Sequence, residues 1–180
     1  LHPGHEEHVA RLVTRYPFDL VLGSVHYIDG WAFDDPERQD GYGAWDTLAL
    51  WERYFADVAR AAATGLIDVL GHVDLVKKFG FVPTEDLADL YRRASEAIAA
   101  SGVTVEINTA GLRKPCAEMY PGQELLTELV RHGVPLTVGS DAHSPEDVGA
   151  NWHEARRAIL DAGGATVSVF RLRRREEVAL

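Results

Sequence analysis

Cysteine is almost absent from this sequence: Cys116 stands alone, so no internal disulfide can form and the fold has to rest on its apolar core. That usage suits a reducing compartment, and the cytoplasm is the expected location. Long apolar runs are missing as well. None approaches the ~18 residues of a membrane span, and the opening stretch from Leu1 to His8 is polar, unlike a signal peptide or an anchor. Basic charge is scarce: 18 Lys and Arg stand against 28 Asp and Glu, a formal net charge of -10, which on average repels the phosphates of nucleic acid and of anionic membranes. No nucleic-acid or membrane partner is therefore expected. The late basic run Arg171, Arg173, Arg174 and Arg175 is too short to reverse that balance and reads as a solvated tail. Low-complexity tracts, Pro/Ser-rich linkers and internal repeats are lacking too, so residues 1–180 are expected to form one domain. An initiating Met is also missing, and a strand-like segment is reached by Leu20, which suggests that sequence upstream of Leu1 has been lost.

What is present is an alternation. Hydrophobic residues make up 46% and charged residues 26%, the balance of an ordinary globular protein with a packed core. Segments rich in β-branched and aliphatic residues run from Leu20 to Ile28, Ile67 to Val73, Val103 to Asn108, Pro135 to Gly139 and Ala165 to Phe170. Between them, Leu48, Trp51, Phe55, Val58 and Ala62 share one helical face, as do Leu87, Leu90, Tyr91, Ala94 and Ile98. Gly102 and Gly133 stand where helix ends favour a left-handed residue. Ser144-Pro145-Glu146-Asp147 has the form of a cap, a proline at the first helical position and acids in the first turn, and Asn151 with Glu154 offers a similar start. Repeated βα units around a parallel sheet follow from this order.

The polar residues suited to chemistry fall at or just after the ends of the strand-like segments: His26, His72, Asn108 with Arg113, and Asp141 with His143. In parallel α/β folds that rim is where ligand sites are built, so one shared site is the economical reading. Gly23-Ser24-Val25-His26-Tyr27, Gly71-His72-Val73-Asp74 and Gly139-Ser140-Asp141-Ala142-His143 each place an imidazole or carboxylate there. Such donors suit Zn, Mn or Fe in hydrolytic sites. A lone histidine at a strand end is more often structural, but three such ends together favour a metal. Asp141 and His143 alternate along an extended segment, so both face the site only if the strand has ended, or else they serve different ions.

The runs Gly23 to Ile28, Asp68 to Gly80, Glu106 to Lys114 with Tyr120-Pro121, and Gly139 to His143 occur in an order that resembles the PHP phosphoesterases; the Glu106 to Lys114 run (EINTAGLRK) is most similar to their histidinol-phosphate phosphatase branch. The resemblance implies a distorted (β/α) barrel with up to three divalent metal ions, hydrolysing a small phosphate monoester, in this branch L-histidinol phosphate to L-histidinol and phosphate in histidine biosynthesis. It further implies that His26 and His72 ligate one ion, Asp141 a second and His143 a third, with Asp141 catalytic and Arg113 both catalytic and holding the substrate phosphate. The guanidinium fork suits that last role. Ser24 and Asn108 are the further substrate-binding candidates. Asn108 is preferred to Glu106, which shares its face of the strand, because it lies nearer the strand end. Asp74 either orients His72 or caps the next turn. His2, His5, His8, His132 and His153 lie on polar segments and are set aside as ligands.

The departures from that family are specific. Its N-terminal His-x-His pair, further histidines of the following loop and a bridging Glu have no match; His2 and His5 fit in neither spacing nor context. A complete barrel runs to ~250 residues, so the first two or three βα units are expected to be missing from this chain. Two other functions stay open: a related phosphoesterase acting on nucleotides or nucleic-acid ends, and a truncated domain with a structural or binding role.

Overall fold

Residues 4–180 are described by the computed structural model, and His2 lies outside them. In chain order the elements are helix α1 (Glu6–Arg15), strand β1 (Leu22–Gly23), the short strands β2 (Tyr27–Ile28) and β3 (Trp31–Ala32), helix α2 (Thr47–Ala63), strand β4 (Val69–Leu70), helix α3 (Ala88–Ser101), strand β5 (Thr104–Asn108), helix α4 (Gln123–Arg131), strand β6 (Leu136–Gly139), helix α5 (Trp152–Asp161) and strands β7 (Thr166–Arg171) and β8 (Arg174–Ala179). Strands β1, β4, β5 and β6 form a four-stranded parallel sheet in that order, and α2, α3 and α4 make the crossovers between successive pairs. This is the α/β organisation implied by the alternation of the sequence. Among the described residues the sheet is open, with β1 and β6 at its edges.

Each crossover helix forms because its apolar residues recur at helical spacing and its ends are satisfied. In α2, the Asp46 carboxylate accepts from the Ala49 amide at 2.9 Å, and Leu50, Trp51, Tyr54, Phe55, Val58, Ala61 and Ala62 are buried. In α3, Leu90, Tyr91, Ala94 and Ile98 are buried, and Gly102 ends the helix at φ 73°, where a side chain would be strained. Leu125, Leu126 and Leu129 of α4 complete the layer. All five residues of β5 are buried, because helices cover one face and the strand-end loops close over the other. Strand alternation puts Val105 and Ile107 in the apolar core and Thr104, Glu106 and Asn108 on the opposite face. That polar face leads to the rim.

Three segments differ from the sequence reading. The run from Leu20 to Ile28 is not one strand: β1 ends at Gly23, and Tyr27–Ile28 pairs antiparallel with Trp31–Ala32 around Asp29-Gly30, both at positive φ. Asp-Gly is a strong two-residue hairpin signal, and it overrides the apolar run. Ser144-Pro145-Glu146-Asp147 makes a single 3-10 turn without a side-chain cap; Gly149 at φ 73° breaks the path, and α5 begins only at Trp152. The arginine-rich end is no solvated tail. It turns at Leu172-Arg173 and returns as β8, antiparallel to β7, so the segment from Ala165 to Phe170 belongs to a hairpin rather than to the parallel ladder.

Arg173 pins that hairpin. Its Nε lies 2.9 and 3.1 Å from the two Asp68 carboxylate oxygens and its Nη2 donates to the Leu66 carbonyl at 3.1 Å, while Asp68 also accepts from the Val21 amide at 2.8 Å. Charge-assisted hydrogen bonds in a half-buried setting contribute about 1.5–3 kcal/mol. Arg173→Ala should therefore lower unfolding free energy by about 2 kcal/mol, and Arg174→Ala, on the exposed side of the same turn, by less than about 0.5 kcal/mol. Urea denaturation of the two variants checks this.

Candidate metal and phosphate site

The rim gathers side chains from four strand ends, and its centre is a pair of imidazoles. His26 follows β1 and His72 follows β4; their ring centroids are 4.9 Å apart with the planes at 74°. His26 is exposed on one side and holds the Asp34 carboxylate at 3.0 Å through Nδ1. His72 is buried, sits at φ 33°, and is fixed through its backbone: its amide donates to Glu106 Oε2 at 3.3 Å and its carbonyl accepts from the Tyr54 hydroxyl at 3.2 Å. Its Nδ1 is buried with no hydrogen-bond partner. Burial, and then the positive charge available to His26, pull the His72 pKa down to about 4, so this ring is neutral at pH 7 with a lone pair to give.

Glu106 builds the floor under this pair. Its Oε2 accepts from the His72 amide and, at 2.9 Å, from Asn108 Nδ2. A Cβ at Gly139 would fall 2.0 Å from Glu106 Oε1, and one at Gly71 would fall 3.3 Å from Oε2 and 2.7 Å from Ser24 Oγ. The glycines of the two sequence motifs thus make room for one carboxylate where β4, β5 and β6 end. Burial pushes the Glu106 carboxyl above its ordinary range, with the Asn108 and His72 hydrogen bonds opposing. Asn108, a substrate-binding candidate in the sequence, is buried, with its amide bonded to Glu106 and, through Oδ1, to the Ala110 amide at 3.0 Å. In this arrangement it braces Glu106. Alternation along β5 had already placed Glu106 on this face.

The β6 end supplies the other groups. Asp141 is in the left-handed region at φ 48°, close enough for its charge to raise the pKa values of both His72 and Glu106. Arg113 reaches across from the turn after β5: Nη2 donates to the Ser140 carbonyl at 2.8 Å and Nε faces Asp147 at 3.2 Å. Its fork is therefore held beside Asp141. His143 is 82% exposed, and its Nδ1 contacts the Asp141 carbonyl at 3.0 Å, so its contacts are with Asp141 and not with the imidazole pair. Ser24 is half-buried against the Gly71 backbone. Asp74, left between two roles by the sequence, has neither: it accepts from the Gly122 amide at 2.8 Å and pairs with buried Lys77 at 2.8 Å, which also meets Glu118 at 2.6 Å. Burial alone would lower the Lys77 pKa, but these two carboxylates hold it raised.

Among the described residues no three His, Cys, Asp or Glu side chains converge closely enough to make a metal site by themselves. The imidazole pair nonetheless fits a divalent ion on its own chemistry. One ring is neutral with an orphaned, buried nitrogen, the other has its Nδ1 tied to a carboxylate, and Asp141 adds negative charge nearby.

The fold and this rim define a PHP-type α/β protein, and the chain belongs to the PHP domain family, whose description matches residues 2–110; a second description, PHP-associated, matches residues 129–162. The chain is 42% identical over 173 residues to "Probable histidinol-phosphatase" of Deinococcus radiodurans, covering 96% of this chain and 65% of that protein. It is 29% identical over 189 residues to the protein of the same name from Schizosaccharomyces pombe, covering 92% and 58%. In structure it is similar to histidinol phosphate phosphatase from Lactococcus lactis, crystallised with zinc, L-histidinol and phosphate (TM-score 0.75, 22% identity, 98% of this chain and 68% of that one). The chain thus spans 65% and 58% of the two relatives matched in sequence.

Two outcomes follow from this geometry. Gly139→Ala must displace the Glu106 carboxylate and is expected to cost about 2 kcal/mol, against less than about 0.5 kcal/mol for Gly43→Ala, where the added methyl meets open space. In a Glu106→Ala background the cost of Gly139→Ala should shrink, which a double-mutant unfolding cycle reads directly. For His72, the folded pKa of about 4 lies below the ordinary 6.5, so the unfolded chain binds more protons between those values and stability must fall as pH drops from 6.5 to 4. The contribution is on the order of 3 kcal/mol in metal-free protein. Unfolding measured across that window should show a shallower slope for His72→Gln.

Proposed function

We propose that this protein hydrolyses L-histidinol phosphate to L-histidinol and phosphate, a step of histidine biosynthesis, as a divalent-metal phosphatase of the PHP family. The observation that carries this reading is the neutral His72 imidazole, its Nδ1 without a hydrogen-bond partner, set against His26 at 4.9 Å on the rim of a PHP fold. The names of its relatives, and the histidinol and phosphate bound by the Lactococcus protein, support the substrate. A cytoplasmic location fits a single unpaired cysteine, and no described helix is long and apolar enough to cross a membrane.

In this reading His26 and His72 hold one ion, while Asp141 and His143 serve neighbouring ones, zinc, manganese or iron being compatible with such donors. A divalent ion bound there supplies Lewis acidity toward the phosphoryl oxygens and lowers the pKa of water. The residues of the chain do the rest. His72 stays unprotonated because it is buried, Glu106 fixes its backbone, and Asp141 places a carboxylate beside both. Arg113 offers a planar fork, anchored by Ser140 and Asp147, with remaining N–H groups for phosphate oxygens. Ser24, at the β1 end, is the further candidate for a phosphate contact.

A second reading is a domain with no turnover of its own, and the lack of any three convergent ligands among the described residues favours it for the isolated chain. Both are tested by assaying phosphate release, with metal content, for the 180-residue chain and for a version extended to the length of the Deinococcus relative. The chain alone should bind metal poorly and turn over far more slowly; equal turnover and equal stoichiometry would show that these residues already make the whole site. In the extended protein Arg113→Ala should lower kcat/KM at least ~100-fold, about 2.7 kcal/mol, and Arg113→Lys should recover only part of it. Preferential turnover of nucleotides would instead favour a different phosphoesterase of the family.

A further inference from the structure

Resting on the reading of His26 as a metal-competent residue, we propose that Asp34 is its positioning residue. The Asp34 carboxylate accepts a hydrogen bond from the Nδ1–H, locks the ring's orientation and leaves the Nε2 lone pair for the ion shared with His72. An imidazole can present only one bare nitrogen while neutral, and which one is decided by the hydrogen bond that the other makes. Here Nδ1 faces Asp34 Oδ2 at 3.0 Å. An ionised carboxylate only accepts, so Nδ1 must carry the hydrogen.

Asp34 is held more firmly than a surface ion-pair partner would be. Its side chain is 21% exposed, and its carbonyl accepts from Lys78 Nζ at 2.5 Å, with the same ammonium 3.9 Å from its carboxylate. Lys78 belongs to the turn that follows His72, and its own carbonyl accepts from the Cys116 amide at 3.1 Å. On the chain, Phe33 is fully buried beside Asp34 and meets the Tyr54 ring at 5.4 Å, the same Tyr54 whose hydroxyl bonds the His72 carbonyl. The next residue, Asp35, accepts from the Glu37 amide at 2.9 Å. The loop carrying His26's partner is thus tied to the turn carrying His72, and Asp34 couples the aim of one imidazole to the placement of the other.

The test uses the full 180-residue chain, with cobalt(II) as the probe. In metal-free protein at pH 8, imidazole nitrogen NMR shifts should show His26 in the Nδ1–H form, with the signal assigned by its loss in His26→Asn. Asp34→Ala should move His26 toward the Nε2–H form and weaken cobalt binding, read by absorption, about 10–100-fold. Asp34→Asn, whose amide oxygen can still accept from Nδ1–H, should recover part of the loss. Asp29→Ala, which removes an exposed carboxylate paired with Arg53, should bind cobalt as the unaltered chain does. His26 found in the Nε2–H form, or cobalt affinity unchanged in Asp34→Ala while His26→Asn weakens it, would overturn the role of Asp34. If His26→Asn and His72→Asn also bind like the unaltered chain, the metal reading itself fails and Asp34's role falls with it.

Discussion

The ends of three parallel strands converge on a single buried carboxylate, and much of the rim takes its shape from that fact. Glu106 fills the space that side chains at positions 71 and 139 would otherwise occupy, takes the His72 amide and is braced by Asn108. A buried carboxylate carries a desolvation cost that only well-aimed donors offset. Both donors come from residues next to the working groups, so the requirement to satisfy Glu106 also sets where His72 stands and why Gly71 and Gly139 cannot carry side chains. Packing and electrostatics at this point are one constraint.

The charges around that carboxylate are arranged in two unlike layers. Below the rim, Lys77 is enclosed with Asp74 and Glu118, and the Tyr120 ring lies 5.5 Å away, so this positive charge is fully matched within the protein. At the rim, the charge of Asp141 adds to the cost of ionising Glu106 and, among the described residues, no Lys pairs with either, while His72 is kept neutral by burial. In the inner layer the ammonium meets two carboxylates of this chain. The outer one carries excess negative charge beside bare imidazole nitrogen, which is the electrostatic signature of a place for a cation.

Much of the fold was legible because it depends on periodic signals. Trp51, Phe55, Val58 and Ala62, and likewise Leu90, Tyr91, Ala94 and Ile98, are buried on the faces that their spacing defines, and Gly102 is left-handed as its position required. Clustering of His26 and His72 was legible too, since parallel strands deliver their ends to one rim. What escaped was what depends on folding-back. The Asp29-Gly30 hairpin was hidden by the apolar run around it, and the C-terminal hairpin by its arginines. Asp34 lies eight residues from His26 in a stretch with no periodic pattern, so nothing local marks it. Glu106 is visible in the sequence as an inward-facing residue, but nothing local sets it apart from Asn108; the glycines that accommodate it belong to other strands, and only tertiary contact reveals their purpose.

The Arg173 pin joins positions 105 residues apart, fastening the last hairpin to the entry of the sheet. Such a clasp can close only after the βα units between its ends have assembled, because loop closure over that span is repaid only once the intervening chain is compact. Interactions that form after the rate-limiting step do little to hasten folding and act chiefly on the reverse rate. The clasp is therefore a device of persistence. It governs how long β1 and β4 stay sealed beneath His26 and His72, and so the lifetime of the rim.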